Sequence, residues 1–114
     1  MNGCLFCKIV DKKIPATIVY EDEQTVAFDD IHPQAPVHTL VIPRTHVAAV
    51  QDCTEPDQTL LGHLLLVCSK IAKLKGLSES GYRIVANTGR DGGQTVFHLH
   101  LHVMGGRPMG WPPG

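Results

Sequence analysis

The stretch Gln94-Thr95-Val96-Phe97-His98-Leu99-His100-Leu101-His102-Val103-Met104 decides how this chain is read. Its second half alternates imidazole with apolar side chains at period two, the repeat of a β-strand, and the spacing predicts one long strand over Gln94 to Met104. On such a strand His98, His100 and His102 share one face, while Leu99, Leu101 and Val103 share the other. The apolar face asks for a core. Three imidazoles side by side incur desolvation and mutual repulsion once charged, so their clustering points to use. The chain holds 7 histidines in 114 residues, and this segment is where function is sought.

One step outward lies Asn87-Thr88-Gly89-Arg90-Asp91-Gly92-Gly93-Gln94-Thr95, a glycine-bearing turn. Adjacent glycines let backbone N–H groups converge on an anion, and Thr95 adds a hydroxyl. By itself Gly92-Gly93 fits a plain hairpin turn equally well. Next to the histidines it reads as a phosphate cradle. Imidazole beside phosphate points to nucleophilic attack at phosphorus through a phosphohistidine-type intermediate.

The remaining elements follow from pattern. Tyr82 to Ala86 reads as a strand entering that turn. The long helix begins near Thr54, where Thr54-Glu55-Pro56-Asp57 supplies a cap, acidic side chains and an early proline. Leu60, Leu61, Leu64, Leu65, Cys68, Ile71 and Ala72 form its apolar face at three-four spacing, and Lys70, Lys73 and Lys75 precede the terminating Gly76. Upstream, Ile18 to Glu21 and Thr25 to Phe28 form a hairpin, and Val37 to Ile42 a strand ended by Pro43. Leu5 to Val10 is a short helix or lead-in. The tail from Gly105 to Gly114 is too rich in glycine and proline for either element. This order predicts an α+β fold: a five-stranded antiparallel sheet with one long helix and a short one.

Composition narrows the functional classes. With 43% hydrophobic and 18% charged residues the chain is globular, and its length fits one domain over residues 1–114. Ten basic against eleven acidic residues leave a formal charge of -1, so no positive field favours long nucleic acid. No apolar run approaches bilayer length, which excludes a membrane partner, and Met1-Asn2-Gly3-Cys4 does not resemble a signal peptide; a cytoplasmic location is expected. The 4 cysteines are then expected to be reduced.

The motif His98-Leu99-His100-Leu101-His102-Val103-Met104 resembles the His-x-His-x-His signature, with x apolar, of the histidine triad (HIT) superfamily. Phe6-Cys7-Lys8-Ile9, Ile14-Pro15-Ala16, Pro33-Gln34-Ala35-Pro36-Val37-His38, Leu64 to Asn87 in outline, Gly92-Gly93-Gln94 and the ending Gly105 to Gly114 are similar to the nucleotide-binding branch of that superfamily. The resemblance implies a homodimeric purine nucleoside phosphoramidase or nucleotidyl hydrolase. Its substrates would be phosphoramidates or acyl adenylates of AMP-type purine nucleotides, and it would need no catalytic cofactor. It makes His100 the nucleophile, His102 a phosphate contact and His38 a further member of the site. Asn87, the backbone of Gly93 and Thr95 take the phosphate-binding positions, with Thr95 standing where serine is common. Asp30 takes the ribose hydroxyls, and Leu5, Phe6, Ile9, Phe28 and Ile31 wall the purine. Asp29 is expected to face away from Asp30. The tail, about 105–114, would lie at the dimer interface, with Trp111 either touching the leaving group or plugging that interface.

Cys4-Leu5-Phe6-Cys7 is a C-x-x-C pair at a spacing useful for metals, and His46 and His98 complete a tetrahedral set if the amino-terminal segment lies beside the triad. The resemblance implies the same four residues as ligands of structural zinc in some relatives; the other reading is two reduced cysteines near the surface. Cys68 is expected in the helix face, and His32 and His63 facing solvent or capping. Two other functional readings remain. One is a non-catalytic purine-nucleotide-binding regulatory module. The other is a catalytic metal site on the three histidines, which leaves the phosphate loop and Asp30 unexplained.

Overall fold

The computed structural model describes residues 3–114. Helix α1 (Leu5–Val10) starts at Cys4, whose Sγ accepts the Cys7 backbone N–H at 3.3 Å, so the C-x-x-C spacing is also a helix cap. The hairpin of β1 (Ile18–Glu21) and β2 (Thr25–Asp29) leads to β3 (Val37–Pro43). Thr54 and Asp57 cap each other reciprocally across a single 3-10 turn, which runs directly into α2 (Gln58–Leu74). Strand β4 (Tyr82–Val85), the one-turn helix α3 (Gly89–Gly92) and β5 (Leu101–Gly105) complete the chain. The expected fold class holds: five antiparallel strands in the order β1-β2-β3-β5-β4, with one long helix. Among the described residues no helix is long and apolar enough to cross a membrane.

Helix α2 packs on β3 and β5, and Leu99, Leu101 and Val103 meet Leu64, Val67, Cys68 and Ile71 there. The apolar half of the triad segment therefore faces the core as its alternation predicts. The helix face differs in detail from the periodicity. Leu65 is exposed and Val67 is buried in its place, while Leu60 and Leu61 are half-buried. The sheet covers one side of α2 only, so the outer leucines of a helix that is apolar nearly all round stay in solvent.

The long strand over Gln94 to Met104 is corrected: the ladder holds only Leu101–Gly105. Register explains the loss. Val41 pairs with Leu101, so the next partners for 100 and 99 are Ile42 and Pro43, and Pro43 has no N–H to give. Its carbonyl is taken by the His98 ring, and the Leu99 N–H goes to Val47 O. Before that, Gly93 turns the chain at φ +85° and the buried Gln94 side chain donates to Ala48 O and Val96 O while accepting the Gly89 N–H. Residues 94–100 are thus a pinned loop. The turn after Asn87 contains α3, capped by Gly93 in the left-handed region that glycine allows.

Candidate active site and metal centre

Three elements converge on the face of the sheet away from α2. His38 and Leu40 project there from β3, His102 from β5, and α1 closes over them through Phe6. The Phe6 ring stands edge-on to Phe28 at 5.4 Å, to His100 at 5.1 Å and to His98 at 6.0 Å. It separates two constellations.

The first is a cleft of about 300 Å³. Leu5, Phe6, Ile9, Phe28, Asp30, Ile31, Thr95, His100 and His102 all line it, as the sequence predicts. Leu40 and Val96 line it too; Leu40 was legible as the period-two neighbour of His38, whereas Val96 had no signal. Asn87 and Gly93 do not line this cleft. Gly93 is exposed as the α3 cap, and Asn87 opens into a second cavity. Asp29 accepts a hydrogen bond from Thr39 Oγ1 at 3.0 Å and pairs with Lys75 at 3.1 Å, so its carboxylate is engaged elsewhere. Asp30 Oδ1 accepts the His32 N–H at 2.8 Å, and its Oδ2 lies 3.5 Å from His38 Nε2.

Partners that can only donate or only accept settle the imidazole tautomers. His100 Nδ1 faces the His98 carbonyl at 2.8 Å, so Nδ1 carries the hydrogen and Nε2 keeps a free lone pair. His38 Nδ1 accepts the Gln34 backbone N–H at 3.0 Å, so its hydrogen is on Nε2, 2.9 Å from His102 Nδ1. His102 therefore carries its hydrogen on Nε2, a buried nitrogen with no protein partner. The result is one imidazole poised as nucleophile beside another presenting an N–H. Burial drives both toward the neutral form: it lowers the His100 pKa, and with His100 and His38 nearby brings His102 down to about 4.

The second constellation is Cys4, Cys7, His46 and His98, whose ligand atoms lie within 4.8 Å of one another. Cys4 Sγ is 3.4 Å and Cys7 Sγ 3.6 Å from His98 Nδ1, and Cys7 Sγ is 3.4 Å from His46 Nδ1. Tetrahedral zinc with sulfur and nitrogen at their usual bond lengths separates S from N by about 3.6 Å, so the donor set fits. The His98 Nε2–H donates to Pro43 O at 2.8 Å, which turns the bare Nδ1 toward the thiols, as ligating histidines are held. Burial and the neighbouring Cys4 push the Cys7 thiol up to about 11 in the absence of a cation, and a bound cation reverses that balance.

Of the other singled-out residues, Trp111, Cys68 and His63 lie apart from both centres, whereas His32 lines the cleft beside Asp30 and Ile31. Trp111 is exposed on the tail and Cys68 is fully buried in α2. His32 is exposed. His63, expected to face solvent or cap, is instead half-buried and bonded through Nε2 to Asp22 Oδ2 at 2.7 Å. The hairpin turn brings Asp22 against α2, which no local pattern announces. Gln94 carried no chemical signal beyond its place after Gly92-Gly93, yet it anchors the loop that delivers the histidines.

A model of the HIT domain matches residues 11–109. An uncharacterized HIT-like protein of Synechococcus elongatus is 56% identical over 110 residues, 96% of each chain. The crystal structure of a HIT family hydrolase from Legionella pneumophila superposes with a TM-score of 0.96 at 53% identity, covering 98% of this chain and all 100% of that one. A histidine triad nucleotide-binding protein from Candida albicans superposes with a TM-score of 0.83 at 34% identity, covering 96% and 83%. With a domain match spanning most of its length and relatives this similar over nearly all of both chains, the protein belongs to the HIT domain family.

Proposed function

We propose that this protein is a nucleotidyl hydrolase, a purine nucleoside phosphoramidase that separates the α-phosphate of an AMP-type nucleotide from an amine or acyl leaving group. The observation that carries the reading is the wiring of His100, whose Nδ1–H is held by the His98 carbonyl beside a cleft that also presents Asp30 and the unpartnered His102 Nε2–H. Two similar structures, from Legionella pneumophila and Clostridium thermocellum, are HIT family hydrolases, and the Candida albicans relative is a nucleotide-binding protein.

In this reading the purine lies among Leu5, Phe6, Ile9, Phe28 and Ile31, and the free lone pairs of Asp30 accept the ribose hydroxyls. Thr95 and Asn87 approach the phosphate from the loop side; the Gly93 N–H, expected there from the sequence, is taken by Arg90 O at 3.0 Å. The His100 Nε2 lone pair attacks phosphorus, the P–N bond breaks toward nitrogen, and the departing amine takes a proton from water. An acyl group departs as a carboxylate and needs none. The His102 Nε2–H donates to a phosphoryl oxygen as charge builds on it. Water then attacks phosphorus and gives up a proton, the P–Nε2 electron pair returns to His100, and the nucleoside monophosphate leaves.

Cys4, Cys7, His46 and His98 hold structural zinc, which ties α1 to the triad loop and takes no part in the chemistry. The chain folds as one domain over residues 1–114 and works as a homodimer in the cytoplasm, where thiols stay reduced. Tyr82 and Ile84, on the free edge strand β4, and Leu65 and Leu66 on α2 leave apolar surface exposed for the partner. Trp111 touches the leaving group from the tail.

A stopped incubation with an adenosine phosphoramidate, read by intact mass, tests the reading. A nucleotidyl adduct and AMP release that vanish in His100→Ala and persist in His63→Ala are expected. Hydrolysis surviving His100→Ala overturns the mechanism, and saturable AMP binding without turnover makes the protein a regulatory nucleotide-binding module.

A further inference from the structure

Helix α1 belongs to both centres. Cys4 and Cys7, at i and i+3, give one side of it to the metal set, while Leu5 and Ile9, at i and i+4, line the purine cleft from another. Phe6 stands between. It is buried, and its ring is edge-on to His98 at 6.0 Å on the metal side and to His100 at 5.1 Å on the cleft side. The triad loop makes a second link. His98 turns Nδ1 toward the thiols, and its own carbonyl holds the His100 Nδ1–H at 2.8 Å.

The helix owes its order to such contacts. Its 6 residues are far fewer than a helix needs to stand alone in water. It leads out through Lys12 at φ +59°, a left-handed conformation that a residue other than glycine keeps only where its surroundings enforce it. On the sheet side Phe6 and Ile9 pack in one cluster with Phe28, Leu40 and Ile42. On the other side stand the thiols and imidazoles of the metal set. An element held by two sites couples them: whichever ligand orders it first spares the second that cost, and the gain in affinity is equal in both directions.

We propose that α1 couples the two centres, so that a divalent cation held by Cys4, Cys7, His46 and His98 raises the affinity of the cleft for a purine nucleotide, with Phe6 as the principal link. The proposal rests on the nucleotide-binding reading of the cleft and adds to it a regulation by metal occupancy. The protein with its metal set filled holds nucleotide more tightly than the stripped protein, and nucleotide in turn makes it hold the cation more tightly.

The test titrates AMP calorimetrically into zinc-loaded protein freed of unbound metal, and into protein stripped by a chelator that is then removed. The loaded form is expected to bind AMP about tenfold more tightly, inside the roughly 5–150-fold span usual for coupled sites. Zinc affinity, measured by competition with a chromophoric chelator, is expected to rise by the same factor when AMP saturates the cleft. Phe6→Leu keeps every metal ligand and is expected to bring both factors down toward one, whatever it does to AMP affinity itself. A stripped chain that unfolds leaves the chelator competition as the readout. At AMP concentrations set to the same multiple of each protein's dissociation constant, global stabilisation raises zinc affinity equally in the unaltered protein and in Phe6→Leu, and only a link through Phe6 separates them. Equal AMP affinity in loaded and stripped forms overturns the coupling and leaves the nucleotide reading standing. A factor that Phe6→Leu preserves overturns Phe6 as the link. AMP that binds neither form removes the nucleotide reading and this proposal with it.

Discussion

His38 Nε2 lies 2.9 Å from His102 Nδ1, and the hydrogen between them belongs to His38 because the Gln34 amide occupies that ring's other nitrogen. This one contact decides which nitrogen of His102 carries the hydrogen. Replacing His38 with alanine frees His102 to take either tautomer, and kcat is expected to fall by about a hundredfold. AMP affinity, carried by the apolar walls and Asp30, changes little. Single-turnover rates alongside calorimetric AMP titration check the pair of outcomes. An unchanged kcat contradicts the relay.

The buried imidazoles give stability a pH dependence. His100 and His102 have pKa values lowered by burial from the ordinary 6.5, His102 to about 4. Between about 4 and 6.5 the unfolded chain therefore binds more protons than the folded one, and stability rises with pH. Thermal midpoints measured from pH 4.5 to 7 are expected to climb and then level off. The rise should be smaller in His102→Phe, which removes the titrating group.

Asp22 ties the β1–β2 turn to α2. Burial would raise its carboxyl pKa, but hydrogen bonds from Thr25, Gln24, His63 and Tyr20 outweigh burial and hold it well below the usual carboxylate range. Asp22→Asn leaves the buried donors poorly matched and is expected to cost about 1–3 kcal/mol. Because the folded pKa is depressed, the stability Asp22 contributes is present above its unfolded pKa and is lost as the pH falls below it. Urea titrations at pH 7 should show the loss for Asp22→Asn, with AMP binding retained.

Removing a cation from Cys4, Cys7, His46 and His98 uncouples α1 from the triad loop. Metal present at a hundred times its dissociation constant stabilises the fold by about 2.7 kcal/mol, so exhaustive chelation should lower the thermal midpoint by several degrees. Cys4→Ser should show the lower midpoint without chelator. Cobalt loading provides a separate readout, since thiolate-to-cobalt charge-transfer absorption requires cysteine coordination and grows with each thiolate bound. Its absence rejects the four-residue site.

Local pattern carried much of this protein. The period-two alternation of Leu99, Leu101 and Val103 placed the core face correctly, because side-chain direction in extended chain depends only on spacing. The Thr54–Asp57 cap, the β1–β2 hairpin and the C-x-x-C pair are likewise short-range features whose energetics lie within a few residues. Only the tertiary structure could decide that β5 starts at Leu101, since Pro43, more than fifty positions away, ends the ladder by lacking an N–H. It also decided the tautomer of His102, set by His38 on another strand, that of His98, set by the Pro43 carbonyl, and the pairing of His63 with Asp22. Residue type announced the chemistry of the histidines; partners distant in sequence set the ring nitrogens of His98 and His102, and backbone groups two and four positions away, placed by the folded loops, set those of His100 and His38.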